Sequence, residues 1–194
     1  MSGGAVPGPD GRLRCPWGLS TEDYVTYHDT EWGRPLHGDD ALYERLCLEA
    51  FQSGLSWLTI LRRREGFRSA FDGFRIASVA AFTDADAERL LADEGIIRNR
   101  AKIEATLANA RVLAEWAEGE LDELIWSYAP DPGRPAPLTT ADVPAVTPES
   151  TALSKALKKR GLRFIGPTTA YALMQACGLV DDHLKDCVAR TGSN

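Results

Sequence analysis

The stretch that decides the fold runs from Arg160 to Gly178 and reads RGLRFIGPTTAYALMQACG. It starts at the basic end of one segment, passes through a short apolar turn at Gly166, and places a proline directly after that glycine. Proline is favoured at the first position of a helix, where its missing N–H costs nothing. We therefore expect a helix to begin at Pro167, after a tight turn that follows a preceding helix.

This turn has the features of a phosphate-binding turn. A glycine at position 166 lets another backbone approach closely, and the free N–H groups of the following helix point at an anion. The pattern is typical of the second half of a helix-hairpin-helix motif, and it predicts DNA contacts at Gly166 and Thr168. A glycine-proline pair also occurs in ordinary turns, so a plain connection between two helices is the alternative.

The charge pattern favours the nucleic-acid interpretation. The protein has 22 basic and 28 acidic residues and a formal net charge of -6, yet the segment from Thr151 to Val180 contains no acid. An acidic protein needs such a local basic face to meet a polyanion. We predict that Lys158, Lys159 and Arg160 contact DNA, with a solvated helix face as the alternative.

The rest of the chain also predicts helices. Residues that favour the N-cap position stand before or at the start of several helix-like segments, at Asp39, Ser56, Thr83, Asn99 and near Thr147. No alternating run of four or more residues indicates a sheet. The predicted class is therefore all-α.

Domain boundaries follow from glycine and proline. Residues 1–14 are rich in both and show no apolar periodicity, which predicts a mobile N-terminal tail. Six of the eleven prolines fall in residues 130–148, which predicts an extended connection. We expect a single helical domain over residues 15–190 and a C-terminal tail over residues 191–194.

Length and composition agree with one globular domain. The chain has 194 residues, of which 44% are hydrophobic and 26% charged, enough for a buried core. No apolar run approaches the roughly 20 residues that a membrane-spanning helix needs, and the N-terminus does not resemble a signal peptide. We expect a cytoplasmic protein with no membrane partner.

Cysteine and histidine pairs occur at both ends of the chain. His183 and Cys187 are four residues apart in the segment DDHLKDCVAR, where we expect a helix to place them on one face, and Cys15 and His28 supply the same pair near the N-terminus. Two cysteines and two histidines form a closed tetrahedral set suited to structural zinc. The alternative is that all four are ordinary residues.

One acidic residue lies at the margin of an apolar helix stripe. Glu49 follows Leu46 by three positions, and a carboxylate there needs a partner. The nearby aromatic residues suggest a pocket for a flat, nitrogen-rich ligand; they are Trp17, Tyr24, Tyr27, Trp32 and Trp57. Equally, these rings could be core residues and Glu49 could cap an amide or pair with an arginine.

Longer blocks of the sequence resemble the DNA-3-methyladenine glycosylase I family. These blocks are RCPWG, YHDTEWGRP, CLEAFQSGLSW, GIIRNRAKI and LSKALKKRGLRFIGPTTAYALMQACGLVDDH, and the resemblance ends at Cys187. It implies an all-α, helix-hairpin-helix DNA glycosylase-like domain in which a structural zinc, one per chain, joins the N- and C-terminal regions. The tail and the proline-rich connection lie outside the resemblance.

The resemblance assigns roles to individual residues. It implies zinc ligands at Cys15, His28, His183 and Cys187. It implies base binding and catalysis at Glu49 and Tyr27, and further base contacts at Trp17, Tyr24 and Trp57. It also implies that Leu55 is a wedge that enters the duplex.

Asp181 stands where many other helix-hairpin-helix glycosylases have a catalytic aspartate, but this family works without one. We expect Asp181 and Asp182 to begin the helix of His183 and to orient its imidazole.

The implied reaction is hydrolysis of the N-glycosidic bond of 3-methyladenine in alkylated double-stranded DNA. Methylation at N3 makes the base cationic and a good leaving group, so little acid catalysis is needed. No lysine occupies an evident nucleophile position, which predicts a monofunctional enzyme that releases free 3-methyladenine without strand cleavage.

We expect the protein to be a monomer. The alternatives are a non-enzymatic, zinc-stabilised DNA-binding module and, less favoured, a small-molecule hydrolase.

Overall fold

The computed structural model describes residues 3–131 and 133–191. Within these ranges the chain forms nine α-helices, three short 3-10 helices at Pro16–Leu19, Asp72–Phe74 and Thr140–Asp142, and a two-stranded hairpin. The α-helices are α1 (Glu22–Thr30), α2 (Asp39–Gln52), α3 (Trp57–Ala70), α4 (Ile76–Ala80), α5 (Asp84–Ala92), α6 (Arg100–Leu113), α7 (Glu120–Trp126), α8 (Pro148–Lys159) and α9 (Pro167–Ala176). The predicted all-α class is confirmed.

Polar caps begin several helices where the sequence predicts them. Ser56 Oγ accepts a hydrogen bond from the Thr59 N–H at the start of α3, and Asn99 Oδ1 accepts one from the Lys102 N–H at the start of α6. These bonds satisfy N–H groups that have no partner inside the helix. Helix α9 begins at Pro167, as the turn sequence predicts.

A large apolar core packs the α-helices together, and a smaller cluster joins Cys15 to Leu184, Cys187 and Ala189. Helix α2 packs against α3, α6 and α9, and α8 packs along α9. The buried face of α2 includes Leu42, Leu46 and Phe51, and the Phe51 ring lies 4.7 Å from the Phe67 ring of α3. Burial of this face brings Glu49, also on α2, next to residues of α1 and α9.

The N-terminal segment is not the predicted mobile tail in its described part. Strands β1 (Val6–Pro7) and β2 (Leu13–Arg14) pair antiparallel, with Val6 opposite Arg14. The buried Arg14 guanidinium binds Asp10 of the hairpin at 2.7 Å and Asp29 of α1 at 2.9 Å. The bond to Asp10 closes the hairpin on itself, and the bond to Asp29 attaches it to the helical domain. Residues 1 and 2 lie outside the described residues.

The predicted connection and C-terminal tail are described only in part. Residue 132 of the proline-rich segment and residues 192–194 of the tail lie outside the described residues. Among the described residues, no helix is long and apolar enough to cross a membrane.

Candidate functional site

An aromatic cavity of about 330 Å³ opens between α1, the α2–α3 loop and α9. All five residues that the sequence assigned to base binding line it together, namely Trp17, Tyr24, Tyr27, Glu49 and Trp57. Five further residues complete the lining: Trp32, Gln52, Ser56, Ala172 and Gln175. The volume and the aromatic lining suit a flat ligand of about the size of a nucleobase.

The rings form two groups around the cavity. Trp17 makes edge-to-face contacts with Tyr24 at 5.5 Å and with Trp32 at 5.0 Å between centroids. Tyr27 and Trp57 lie 5.4 Å apart with a tilt of 43°. Edge-to-face packing holds rings in fixed orientations, so the aromatic walls are built before any ligand arrives.

Glu49 is a buried carboxylate in this aromatic wall. Its side chain is only 5% exposed, and no donor among the described residues hydrogen-bonds to its oxygens. Burial raises the pKa of Glu49 to about 7, partly offset by the positive charge of Arg45. Because Glu49 lines the cavity and no described donor bonds to it, a ligand that donates hydrogen bonds or carries positive charge would complement it.

Arg45 is a site residue that our sequence analysis missed. It is 8% exposed, donates from Nη1 to the Tyr27 hydroxyl at 3.1 Å, and lies 3.6 Å from Glu31. Its guanidinium also packs 5.7 Å from the Tyr27 ring centroid. Arg45 precedes Glu49 by four positions, which places both on one face of α2; that spacing was the available signal.

Two further polar groups belong to residues that line the cavity. The Trp57 indole N–H is buried and has no hydrogen-bond partner among the described residues. Gln175 donates from its amide nitrogen to Asp182 Oδ2 at 2.9 Å, which fixes the orientation of the amide group. Glu49 and Gln175 therefore offer polar groups to a ligand, whereas the Trp57 N–H is enclosed by the protein.

Leu55 projects from the loop that borders the cavity. The side chain is 41% exposed, which is unusual for leucine in this protein. Gly54 precedes it with a φ of 82°, a left-handed conformation that favours glycine. This backbone conformation lets the chain turn sharply between α2 and α3 and leaves Leu55 at the tip.

The α8–α9 turn carries the predicted backbone-binding residues. Gly166 precedes α9 with no side-chain cap on its first N–H groups, and Thr168 is exposed beside it. Ser154 of α8 donates to the Ile165 carbonyl at 2.8 Å and stabilises the turn. The uncapped N–H groups at the start of α9 are thus available to an anion.

The three basic residues before the turn differ in whether they form an ion pair within the protein. Lys158 and Lys159 are exposed and form no ion pair with any described residue. Arg160, which we expected to extend toward DNA with them, instead forms an ion pair with Glu120 and packs 3.9 Å from the Trp116 ring centroid. Arg160 therefore contacts its own protein, because an acid and an aromatic ring from the α6–α7 region lie within its reach.

The four predicted metal ligands meet in one buried cluster. The ligand atoms of Cys15, His28, His183 and Cys187 all lie within 4.8 Å of one another. Cys187 Sγ lies 3.4 Å from His28 Nε2 and 3.7 Å from His183 Nδ1, and Cys15 Sγ lies 3.8 Å from His183 Nδ1. This cluster joins residues 168 positions apart in the chain.

The outer nitrogens of both imidazoles are also bound. His28 Nδ1 lies 2.8 Å from Asp29 Oδ1, and His183 Nε2 lies 3.0 Å from the Trp32 carbonyl. An N–H that donates outward leaves the inner nitrogen with a free lone pair for a metal. Gly18 makes room for this arrangement, since a Cβ there would come within 2.7 Å of the His28 ring.

The segment that carries His183 and Cys187 is not a helix, contrary to our prediction. It consists of turns, and the Leu184 N–H bonds to Cys15 Sγ while Arg190 binds the carbonyls of Asp181 and His183. These contacts satisfy the backbone without helical hydrogen bonds. Contacts with Cys15 and Arg190, and not the spacing of a helix, therefore hold His183 and Cys187 near each other.

Neither aspartate orients the His183 imidazole as we expected. Asp181 accepts hydrogen bonds from the His183 N–H and from Thr191, which closes a surface turn. Asp182 is buried and accepts from the Tyr171 hydroxyl and Gln175. The Trp32 carbonyl takes the orienting role instead.

Comparisons with known proteins agree with this geometry. A family model described as Methyladenine glycosylase matches residues 17–191. The chain is 44% identical to DNA-3-methyladenine glycosylase 1 of Escherichia coli K12 and 46% identical to DNA-3-methyladenine glycosylase of Haemophilus influenzae, over 93% and 92% of this chain and 98% of each relative.

A solved structure supports the same assignment. The crystal structure of a variant 3-methyladenine DNA glycosylase I in complex with 3-methyladenine superposes with a TM-score of 0.82 at 36% identity, covering 93% of this chain and 99% of the other. Because the family model spans residues 17–191, and these relatives are 44–46% identical over more than nine-tenths of the chain, this chain is a member of the methyladenine glycosylase family.

Proposed function

We propose that this protein is a base-excision repair enzyme that hydrolyses the N-glycosidic bond of 3-methyladenine in double-stranded DNA. The observation that carries the proposal is Glu49, a buried carboxylate without a hydrogen-bond partner in an aromatic cavity of nucleobase size. An enzyme that acts on a base must take it out of the stack and hold it in such a pocket.

The cavity suits the charge of the substrate. An N3-methylated adenine in DNA is cationic, so an ionised Glu49 would attract it and would accept a hydrogen bond from its exocyclic amine. Tyr27 and Trp57 would pack against the cationic ring. Burial holds the pKa of the Tyr27 hydroxyl well above its ordinary value, so Tyr27 acts as a neutral hydrogen-bond partner and not as a base.

The chemical step then needs little from the protein. The C1′–N9 bond breaks with its electron pair moving to the base, which leaves as neutral 3-methyladenine, and water adds to C1′ and loses a proton to solvent. No lysine is among the described residues that line the cavity, so none of these residues supplies an amine for the covalent adduct that precedes strand cleavage. We propose monofunctional hydrolysis for this reason.

DNA binding would use the two exposed elements beside the cavity. Leu55 would enter the gap that the flipped nucleotide leaves. The α8–α9 turn would act as a helix-hairpin-helix element, with the N–H groups after Gly166 on a phosphate. Lys158 and Lys159 add positive charge, whereas Arg160 is already bound to Glu120.

A structural zinc ion is the metal that the Cys/His cluster fits. Tetrahedral zinc, with bonds of about 2.0–2.3 Å, needs ligand atoms about 3.3–3.8 Å apart, and the cluster has separations of 3.4, 3.7 and 3.8 Å. When bound, zinc would link the N- and C-terminal segments. Four protein ligands leave no open position, so the ion would stabilise the fold and not take part in hydrolysis.

Base release tests the proposed activity. Purified protein is incubated with methylated duplex DNA, and free bases are separated by chromatography. We expect 3-methyladenine above the uncatalysed rate, strongly reduced in Glu49→Gln and retained in the exposed control Glu94→Gln. The DNA strand should stay intact until alkali is added. DNA binding without base release would favour the non-enzymatic module instead.

Elemental analysis tests the metal. We expect one zinc per chain, lost in Cys187→Ser and retained in Cys47→Ser, which changes a buried cysteine outside the cluster. Equal zinc content in both variants would contradict the ligand assignment. The monomeric state and the cytoplasmic location stay predictions.

A further inference from the structure

Helix α6 carries two buried polar side chains that bond to other segments. Lys102 and Asn109 are 7% and 4% exposed. They lie seven residues apart, which is about two helical turns and about 10 Å along one side of the helix. Each side chain bonds to backbone atoms of a different loop, and both loops carry a proposed DNA contact.

Lys102 holds the loop that presents Leu55. Its ammonium donates to the Phe51 carbonyl at 2.8 Å and to the Ser53 carbonyl at 2.6 Å. These are carbonyls of the C-terminal end of α2, which lack partners inside the helix and attract a cation. Ser53 is followed by Gly54 and then by Leu55, so the bond from Lys102 fixes the position of the backbone two residues before the exposed leucine.

Asn109 holds the α8–α9 turn by both ends of its amide. Its Oδ1 accepts from the Arg163 N–H at 2.7 Å, and its Nδ2 donates to the Arg163 carbonyl at 3.1 Å. Arg163 precedes Phe164, which has a φ of 64°, a strained conformation for a non-glycine residue. The paired bonds to Arg163 stabilise the turn three residues before Gly166.

We propose that α6 sets the spacing between the Leu55 loop and the α8–α9 turn, and that Lys102 and Asn109 are positioning residues for duplex DNA. This inference rests on the proposed function, in which both loops contact the same duplex. Neither residue lines the aromatic cavity. Loss of Asn109 should therefore weaken recognition of duplex DNA and leave recognition of the free base intact. The loop that Lys102 holds also contributes Gln52 and Ser56 to the cavity, so loss of Lys102 should weaken duplex binding more than binding of the free base.

Two binding measurements on each variant separate these effects. Lys102→Met keeps the approximate length of the side chain and removes its hydrogen-bond donors. Asn109→Ala removes both side-chain hydrogen bonds to Arg163. Arg111→Met is the matched control, because Arg111 also lies on α6 and donates to a carbonyl, that of Phe82, outside both loops. Affinity for free 3-methyladenine is measured by calorimetry, and affinity for a methylated duplex by titration.

We expect each variant to bind the duplex about ten- to a hundredfold more weakly, since displacements of about 1 Å have effects of that size. Affinity for the free base should stay within about twofold of wild type for Asn109→Ala and should fall less than duplex affinity for Lys102→Met, and the control should change neither affinity. The double variant should lose less than the product of the two single losses, because either change alone already disrupts the spacing.

Several outcomes would overturn the inference. Unchanged duplex affinity, or equal losses for duplex and free base, would show that α6 has no such role. Fully multiplicative losses would show two independent local anchors. If Lys102→Met does not fold, Lys102→Gln, which keeps a donor group, replaces it alongside Asn109→Ala. Wild-type protein that releases no base would instead refute the proposed function itself.

Discussion

Replacing Glu49 by glutamine should stabilise the folded protein at alkaline pH while it impairs function. Glutamine has nearly the same shape but no charge, so the change removes only the cost of ionising a buried carboxyl group. That cost is present because Glu49 is 5% exposed and has no hydrogen-bond donor among the described residues.

The pKa of Glu49 gives the size and sign of this effect. Burial raises it from 4.5 to about 7 in the folded state. Between these two values the unfolded chain has released the proton that the folded chain still holds, so the free energy of unfolding decreases as pH rises. A pKa difference of this size corresponds to about 3 kcal/mol of unfolding free energy. Wild type loses none of this stability below about pH 4 and has lost all of it by about pH 8.

Urea unfolding of both proteins across this pH range measures the effect. The stability of Glu49→Gln relative to wild type should grow from about zero near pH 4 to about 3 kcal/mol near pH 8, because all other titrating groups are common to both proteins. The exposed control Glu94→Gln should follow wild type. A pH-independent difference between wild type and Glu49→Gln would refute the argument that burial makes ionised Glu49 costly despite the nearby charge of Arg45.

Three further outcomes follow from the site. The pH profile of kcat/KM should rise through an ionisation near pH 7 that is absent in Glu49→Gln, since the cationic substrate needs ionised Glu49; an identical rise in the variant would assign it to another group. Replacing Lys158 and Lys159 by alanine should flatten the log-log salt dependence of DNA binding by about 0.9 per lost phosphate contact, whereas an unchanged slope would place the contacts elsewhere. Asp181→Asn should change the single-turnover rate only a few-fold, because Asp181 closes a surface turn, and a loss of about a hundredfold with intact zinc content would show a catalytic role.

The helices could be predicted because their signals are local. Ser56, Asn99 and Thr147 each bond to an N–H three residues ahead, so a few neighbouring positions suffice to locate a helix start. The turn before Pro167 is likewise encoded within a short stretch. Periodicity and caps therefore predict the helical class without knowledge of the tertiary contacts.

The errors arise where distant residues override local preference. The segment around His183 has helical spacing, yet its backbone bonds to Cys15 and Arg190 instead. Arg14 similarly orders a glycine- and proline-rich hairpin through Asp29, fifteen residues away. No local pattern contains these partners.

The residues of the cavity were also predicted only in part from the sequence. The family resemblance brought out Glu49 and the aromatic residues, but Arg45 and Gln175 were missed. Arg45 matters because it lies beside Glu49 on α2 and contacts Tyr27 of α1, and Gln175 matters because Asp182 orients it. Their roles depend on packing between helices that are far apart in sequence.

The Cys/His cluster also has a consequence for the order of events during synthesis. Cys15 is synthesised 168 positions before His183, and His28 is synthesised 159 positions before Cys187. Trp17 of the cavity wall packs 5.1 Å from the His28 ring, so this part of the wall contacts one half of the ligand set before the other half is synthesised. A chain that stops before His183 would carry all of its aromatic residues but only two of the four ligands, and we expect it to lose both the proposed zinc and its activity.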